Sequence, residues 1–337
     1  MNKVFFNIGL YFAFLFLHIA SAQAYEFKGI NALFSAIKTD YANPIDIKNI
    51  CLDSSNLIQQ FDPSFKIYYS SSKAFLYKNN ELVYTFTLPQ NKNIAEWQHF
   101  IIKFLKTSID KSPKLSYNAE LIENSVIQYT LQQLDKYSRL ENNISKPYHV
   151  DYKIQDDVLY IRCDTFENGI SGVLKNIILQ YPSTKGLILD LRQNHGGDFG
   201  EAIKTADLFL DNVLIAYSIE QNFPKRFYNA SQGDILYGKP IAILTGKNTA
   251  SAAEIVVAAL SEQNRATLIG TKTFGKGTIQ SVRSISKQKL YLTNGYFFSP
   301  SGKVIDNVGI VPDIDTTASI FSNEITIALD YIKQRIS

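Results

Sequence analysis

The chain has 337 residues, of which 45% are hydrophobic and 19% charged, a composition typical of a globular protein with a full core. Its formal net charge is only +3, which indicates neither a nucleic-acid footprint nor an acidic solvating tail. Two cysteines exclude a disulfide-stapled mini-fold and a cysteine-rich metal cluster. At about 150 residues per domain, the length favours two domains.

Residues 1–24 are typical of a secretory signal peptide. Lys3 gives a positive start, Val4 to Ala20 is mostly apolar, and Ala22-Gln23-Ala24 matches the small-x-small cleavage pattern. The mature chain would begin at Tyr25, in the periplasm or outside the cell. The alternative is an uncleaved membrane anchor, because the apolar run is near the ~17-residue lower limit for a span. No later stretch is apolar enough to predict a stable membrane span after cleavage.

An oxidising compartment permits a disulfide between Cys51 and Cys163. Cys163 ends the alternating run Tyr160-Ile161-Arg162-Cys163, where a buried free thiol is equally natural. The sequence leaves both states open.

Residues 25–145 are predicted to form a smaller α+β domain. The runs Ala74–Tyr77 and Leu82–Phe86 flank the turn-forming pair Asn79-Asn80, which predicts a hairpin. Apolar residues at helical spacing predict one helix around 97–105 and another over about 120–134. These apolar stripes are typical of a core rather than a ligand site.

From residue 146 to 337, strands and helices alternate. This pattern predicts an α/β fold with a mixed, partly parallel sheet and flanking helices. The predicted strands are 158–163, 186–191 and 240–244, and the predicted helices are 171–180 and 251–260. Sites in such sheets form at the carboxyl ends of the strands, and three candidate segments lie there or in the loops beyond.

The first segment, 190–198, contains the pair Gly196-Gly197 directly after a predicted strand. Paired glycines at this point expose backbone N–H groups and allow another chain to approach closely. A tight connection that only needs glycine geometry would give the same pattern.

The second segment, 246–254, contains Ser251 where a strand turns into a helix. A serine in this position projects its hydroxyl beyond the sheet, next to an N–H that gains the helix dipole, as an acyl nucleophile requires. The alternative is an N-cap serine worth ~1 kcal/mol, and Thr249 qualifies equally.

The third segment, 271–280, places Lys276 between Gly275 and Gly277. Its neighbours do not shield this lysine, so it can enter a cavity, although a surface position is the commoner case.

Together, these segments resemble the carboxyl-terminal processing, or tail-specific, serine peptidases over about residues 158–314. The matching blocks occur in order at 190–197, 248–254, 274–280 and 299–302 with 309–313. Lys276 follows Ser251 by 25 positions, the family's spacing between the nucleophilic serine and the catalytic lysine.

The resemblance implies roles by position. Ser251 would be the nucleophile, Lys276 the general base and Gln280 the residue that holds the lysine. The N–H of Ala252 and one from the turn Gly196-Gly197 would form the oxyanion hole. The chemistry requires a neutral lysine, whereas a lysine in water is protonated at neutral pH. We therefore expect Gly275 and Gly277 to let backbone pack close to the lysine, and Phe274 and the apolar helix 255–260 to exclude water.

Three positions depart from or qualify the family pattern. His195 replaces the usual proline before the glycines, which loosens the turn, and Ala253 replaces a frequent serine. Glu262 occupies a position where some members use a supporting acid, but we rank it below Gln280 and expect a solvated helix end. Only residues 141–157 lie between Leu140 and the predicted strand at Val158, fewer than the ~40 that an independent domain needs, so we expect the family's peptide-binding PDZ domain to be missing.

The predicted function is that of an exported serine endopeptidase acting on protein or peptide substrates, near their carboxyl termini by analogy, through an acyl-enzyme. A catalytically weak peptide-binding or ligand-binding protein on the same scaffold is the alternative. A triad of Ser251, His195 and an aspartate is a less favoured rival. No cofactor, metal or nucleic-acid partner is implied. The sequence leaves open whether residues 25–145, or an adaptor, replace the PDZ domain.

Overall fold

The computed structural model describes residues 25–142, 149–285, 287–317 and 323–336. The predicted signal peptide lies outside these residues. The described residues fall into two compact units. The first consists mainly of the chain up to Lys38 and Pro44–Arg139, and the second mainly of Thr39–Asn43, Leu140–Arg283 and the chain from Lys287. The main boundary thus lies between Arg139 and Leu140 rather than at the predicted residue 145, and Thr39–Asn43 also groups with the second unit.

The first unit combines helices with a three-stranded antiparallel sheet of order β1-β2-β3. The strands are β1 (Phe65–Tyr69), β2 (Lys73–Lys78) and β3 (Glu81–Thr87). The helices are α1 (Lys28–Asp40), α2 (Ile47–Asn56), α3 (Ile58–Phe61), α4 (Ile94–Asp110), α5 (Pro113–Tyr117) and α6 (Ala119–Gln132).

Local sequence explains the hairpin and the long helix of this unit. Asn79 and Asn80 have φ angles of 50° and 69°, the left-handed conformation that a two-residue hairpin turn requires. Asn93 caps α4 by accepting the N–H of Ala95. One face of α4, including Trp97, is buried. The predicted hairpin and helix are therefore confirmed.

The second unit contains the remaining elements. Its helices are α7 (Ile170–Gln180), α8 (Phe199–Asp207), α9 (Ala252–Glu262) and α10 (Glu324–Ile336). Its strands begin with β4 (Arg139–Asn142), β5 (Val150–Gln155), β6 (Val158–Cys163), β7 (Gly186–Asp190), β8 (Leu214–Glu220) and β9 (Arg226–Asn229). They continue with β10 (Ile241–Thr245), β11 (Thr267–Gly270), β12 (Thr278–Ile285), β13 (Gln288–Phe298) and β14 (Ile314–Asp315).

A six-stranded sheet of order β14-β11-β10-β7-β6-β5 forms the centre of the second unit. Only β5 pairs antiparallel with its neighbour in this sheet, and the other pairings are parallel. Strands β7 and β10 are buried at every position, as expected of central parallel strands covered on both faces. The mixed, partly parallel α/β fold predicted from the sequence is confirmed.

Two hydrophobic clusters cover this sheet. Leu187 and Ile243 lie in the cluster that contains helices α7, α8 and α9, whereas Ile188 and Leu244 lie in the cluster that contains α10. Successive side chains of a strand point to opposite faces, so the two clusters are the two faces of the sheet. The carboxyl ends of β7 and β10 are adjacent, because the two strands pair in parallel. The loops that follow them are therefore brought together.

A second sheet of the same unit joins β12, β13, β8 and β9, with β4 on β13. These strands were not predicted from the sequence. Cys51 and Cys163 are both buried free thiols, so the disulfide alternative is wrong and the free-thiol alternative is confirmed. Among the described residues, no helix is both long and apolar enough to cross a membrane.

Candidate active site

Ser251 lies between the end of β10 and the start of α9, at the helix N-cap. Its backbone has φ 56° and ψ −122°, a region that costs a non-glycine residue of order 1–3 kcal/mol. The residue is half-buried. A strained strand-to-helix turn of this kind holds a hydroxyl in place above a sheet.

Thr249, the other candidate in the same loop, has a structural role. It is fully buried, and its hydroxyl donates to the carbonyl of Leu191 at 2.7 Å while accepting the N–H of Gly246 at 2.9 Å. One bond lies within the loop after β10 and the other crosses to the loop after β7, so the Thr249 hydroxyl ties the two loops together. This leaves Ser251 as the candidate nucleophile.

Glu254, one turn into α9, connects the serine loop to the lysine loop. Its carboxylate is fully buried. One oxygen, Oε1, accepts from the Thr273 hydroxyl at 2.6 Å and from the Gly275 N–H at 2.8 Å. The other, Oε2, accepts the N–H of Ser251 at 2.9 Å and the N–H of Lys276 at 2.8 Å.

No role for Glu254 was predicted from the sequence. Burial raises the pKa of Glu254, although its hydrogen bonds from Thr273 and three backbone N–H groups act in the opposite direction. A buried carboxylate with four donors is a rigid connection, because loss of any bond would leave a buried polar group unsatisfied. Its position three residues after Ser251, as in a capping box, is the signal that could have identified it.

The lysine loop lies against the segment 305–309. A Cβ on Gly275, which has φ +84°, would lie 2.8 Å from the Gly309 nitrogen, and a Cβ on Gly277 would lie 2.6 Å from the Asp306 nitrogen. The two glycines therefore permit the close backbone approach that the sequence predicted. Phe274, expected to help exclude water, is 54% exposed instead.

The side chains of Lys276 and Gln280, four residues apart in sequence, are in contact. Lys276 Nζ donates to Gln280 Oε1 at 3.1 Å, and both residues are half-buried. Gln280 lies near the start of β12, so its side chain is positioned by a strand. This hydrogen bond restricts the orientation of the Lys276 amine.

The loop after β7 lies directly against Ser251. A Cβ on Gly196 would lie 2.9 Å from the Ser251 Cβ and 3.0 Å from the Ala252 nitrogen. Asn194, which is fully buried, anchors this loop by donating to the Cys163 carbonyl and by accepting the Gly196 N–H at 2.8 Å. The sequence analysis did not single out Asn194.

The N–H groups near Ser251 differ in their availability. The Gly196 N–H is occupied by Asn194. No acceptor is found in the described part of the chain for the N–H of Gly197 or Ala252. Of the predicted oxyanion donors, these two are therefore free to bind an oxyanion.

A buried ionic group fixes the start of the same loop. Asp190 accepts from the Arg192 guanidinium at 2.9 and 2.5 Å and from the Tyr160 hydroxyl at 2.7 Å. Arg192 also donates to Glu324 on α10. Burial would raise the pKa of Asp190, but the hydrogen bonds from Arg192 and Tyr160 hold it below its usual value.

Two other predicted residues have different surroundings from those expected. The side chain of Glu262 is only 16% exposed and accepts the Ser301 N–H at 2.8 Å, so the prediction of a solvated helix end is wrong. It stabilises the turn over 299–303.

His195 is exposed. In the ranges that the structure describes no carboxylate is bound to His195, so no aspartate orients it as a triad histidine.

The part of the chain that contains these residues is similar to known proteins. The profile of peptidase family S41 matches residues 157–316. The chain is 36% identical over 185 residues to a carboxy-terminal-processing protease of Bartonella bacilliformis, covering 52% of this chain and 42% of that protein. It is 36% identical over 158 residues to the chloroplastic carboxyl-terminal-processing peptidase 2 of Arabidopsis thaliana, covering 46% and 31%.

The chain thus spans less than half the length of these two curated relatives. A solved lipoprotein structure from Streptococcus agalactiae covers 88% of this chain and 99% of its own, with 18% identity and a TM-score of 0.53, which shows a shared fold. The matched region contains Ser251, Glu254, Lys276 and Gln280. Residues 157–316 are therefore similar to peptidase family S41, and the curated proteins that match there are carboxyl-terminal processing proteases.

Proposed function

We propose that this chain is an exported serine endopeptidase that cleaves protein or peptide substrates through an acyl-enzyme on Ser251. Lys276 is the general base and Gln280 positions its amine. The N–H groups of Ala252 and Gly197 bind the oxyanion. Export is proposed from the signal-like residues 1–24, and cleavage near carboxyl termini is proposed from the relatives' names.

The observation that carries the proposal is the shared carboxylate oxygen of Glu254. The backbone nitrogens of Ser251 and Lys276 lie 2.9 and 2.8 Å from this one atom, although 24 residues separate them in sequence. Such a contact supports a nucleophile and a base that meet at one site. The strained backbone of Ser251 and the Lys276–Gln280 hydrogen bond support the same assignment.

The chemistry follows from these roles. Neutral Lys276 Nζ takes the proton from Ser251 Oγ as Oγ bonds to the substrate carbonyl carbon, and the carbonyl oxygen becomes an oxyanion. Collapse of this intermediate breaks the C–N bond, and the lysine ammonium gives its proton to the leaving amine. A water molecule then attacks the ester carbonyl and loses a proton to Lys276. The bond between Ser251 Oγ and the carbonyl carbon breaks, the acid product is released, and the proton passes from Lys276 to Ser251 Oγ.

A fluorophosphonate probe, which forms a covalent bond to an activated serine hydroxyl with loss of fluoride, tests the proposal. Mass spectrometry should locate the label on Ser251. Ser251→Ala and Lys276→Ala should each abolish labelling and peptide cleavage, because the pair acts as a unit. Ser261→Ala, a control on the same helix α9, should retain both. Normal labelling of Lys276→Ala, or a label elsewhere, would refute the assignment.

The pH dependence of cleavage gives an independent test. Since the lysine must be neutral, activity should rise as the pH rises from neutral into the alkaline range. EDTA should leave the rate unchanged. A requirement for added zinc after EDTA treatment would contradict a mechanism carried by these side chains alone.

A further inference from the structure

A groove of about 750 Å³ lies within the first unit, between strand β3 and helix α4. One wall is the chain from Tyr84 to Asn91, and the other is one face of α4 with Glu96, His99 and Lys103. Its apolar base includes Phe100. The proposed catalytic chemistry uses none of these residues.

The β3 wall presents backbone groups that have no partner strand among the described residues. Leu88 donates its N–H to the Ser72 carbonyl, and Phe86 pairs with Ala74 on β2. In an antiparallel ladder, alternate residues bond to the same neighbour, so Thr85 and Thr87 direct their N–H and C=O groups away from β2. Since β3 ends its sheet in the described part of the chain, these groups are free to pair with an added strand.

The helix wall carries charges of opposite sign at its two ends. Lys103 lies beside Tyr84, with Nζ 5.6 Å from the ring centroid, and no carboxylate in the described ranges lies within ion-pair distance of it. Glu96 lies at the other end, where it accepts from the Asn91 amide at 3.0 Å. A ligand with a carboxylate at one end is therefore favoured in the orientation that places this carboxylate at Lys103 and away from Glu96.

We propose that this groove binds the carboxyl-terminal segment of an extended peptide as a fourth strand of the sheet, antiparallel to β3. The terminal carboxylate lies at Lys103, and the preceding residues run toward Glu96. Apolar side chains of the segment contact Phe100 and Phe86. The inference rests on the proposed function and deepens it, because it names the part of the substrate that the first unit recognises.

The dimensions of the groove set the length of the segment. Glu96 and Lys103 are seven residues apart on a helix, which corresponds to about 10 Å at 1.5 Å per residue. An added antiparallel strand advances about 3.4 Å per residue, so roughly three residues fit between the two charges. Backbone pairing supplies affinity in strand addition and side-chain contacts supply selectivity.

Fluorescence anisotropy with a labelled peptide tests the inference on the full chain carrying Ser251→Ala, so that no hydrolysis occurs. Two peptides are compared that share an apolar carboxyl-terminal residue and differ only in a free acid or an amide at the end. The free acid should bind at least about tenfold more tightly, the equivalent of ~1.4 kcal/mol. Lys103→Glu should abolish the difference, whereas Lys106→Glu, exposed on the same helix and outside the groove, should preserve it.

A second pair of variants tests the strand pairing. Thr87→Pro removes an N–H that has no partner in the sheet, so it should weaken binding of the free acid without disturbing β2. Thr87→Val keeps the N–H and should bind normally. Circular dichroism checks that all variants are folded.

Equal binding of acid and amide, or normal binding by Lys103→Glu and Thr87→Pro, would overturn the groove proposal. Failure of the proposed function would give a different result. The peptide would still bind the groove, but the wild-type chain would neither react with the fluorophosphonate probe nor cleave the peptide. If the rate of cleavage depends neither on the carboxyl-terminal group of the peptide nor on Lys103→Glu and Thr87→Pro, the peptidase proposal stands and the groove proposal is wrong.

Discussion

Glu254 accepts the backbone N–H of Lys276 at 2.8 Å from within a fully buried site. The same oxygen accepts the N–H of Ser251, so the relative position of the proposed base and nucleophile depends on one side chain. Glu254 is therefore a positioning residue, which acts through the backbone rather than on a substrate.

Glu254→Gln should reduce kcat by at least about tenfold with little change in KM, because an amide directs two N–H donors toward groups that are themselves donors. It should also lower the free energy of unfolding by about 1–3 kcal/mol for a buried donor left unsatisfied. Steady-state kinetics and urea denaturation measure the two effects. Glu262→Gln on the same helix is the control for loss of a charge, and normal kcat in Glu254→Gln would contradict the positioning role.

Asn194→Ala should lower kcat more than it raises KM. The Asn194 side chain fixes the Gly196 N–H and, through it, the orientation of the next N–H, which we propose to stabilise the oxyanion. Misplacing one such donor costs up to about 10²–10³ in kcat. Gln193→Ala, an exposed neighbour, should keep normal kinetics, and an equal effect of both variants would argue against a specific role for Asn194.

Gly277→Ala should abolish activity and destabilise the second unit. A Cβ at this position would lie 2.6 Å from the Asp306 nitrogen, so the lysine loop must move away from the segment behind it. Overpacking of this kind costs ~1–3 kcal/mol. Gly172→Ala provides the comparison, since its Cβ would meet nothing within 4 Å and alanine favours the helix. Thermal unfolding and peptide cleavage report both outcomes.

Stability at acidic pH should depend on Glu201. Burial would raise its pKa, but hydrogen bonds from Lys204 and Ser171 lower the pKa of Glu201 to about 2. Because the folded pKa lies below the unfolded value, the contribution is complete above about pH 4.5 and is lost as the pH falls toward 2. The maximum contribution is about 3 kcal/mol.

Urea unfolding of Glu201→Gln at a series of pH values measures this contribution. The variant should lose stability at neutral pH and show a shallower decline between pH 4.5 and 2 than the wild type. Glu167→Gln, an exposed carboxylate nearby in sequence, should follow the wild-type profile. Parallel profiles for Glu201→Gln and the wild type would contradict the assignment.

The class of fold and the order of its central elements follow from local patterns in the sequence. Buried parallel strands are continuous apolar runs, and the predicted strand over 158–163 coincides with β6 because that signal is local. The paired asparagines predicted the hairpin for the same reason, since the turn needs left-handed residues at adjacent positions. The residues of the candidate site were also named from the sequence, because their spacing resembles that of a known family.

The way in which these residues are held depends on contacts between segments that are distant in sequence. By local pattern alone Thr249 and Ser251 are equivalent hydroxyls, and only the resemblance to a known family separates them in the sequence. The structure gives the physical difference, because Leu191, in the loop after β7, accepts a hydrogen bond from Thr249. Glu254 reads as an ordinary helix-capping acid until Gly275 and Lys276 are brought to it from 21 and 22 residues away. Such contacts depend on which strands pair, and pairing is set by burial across the whole sheet rather than by any local pattern.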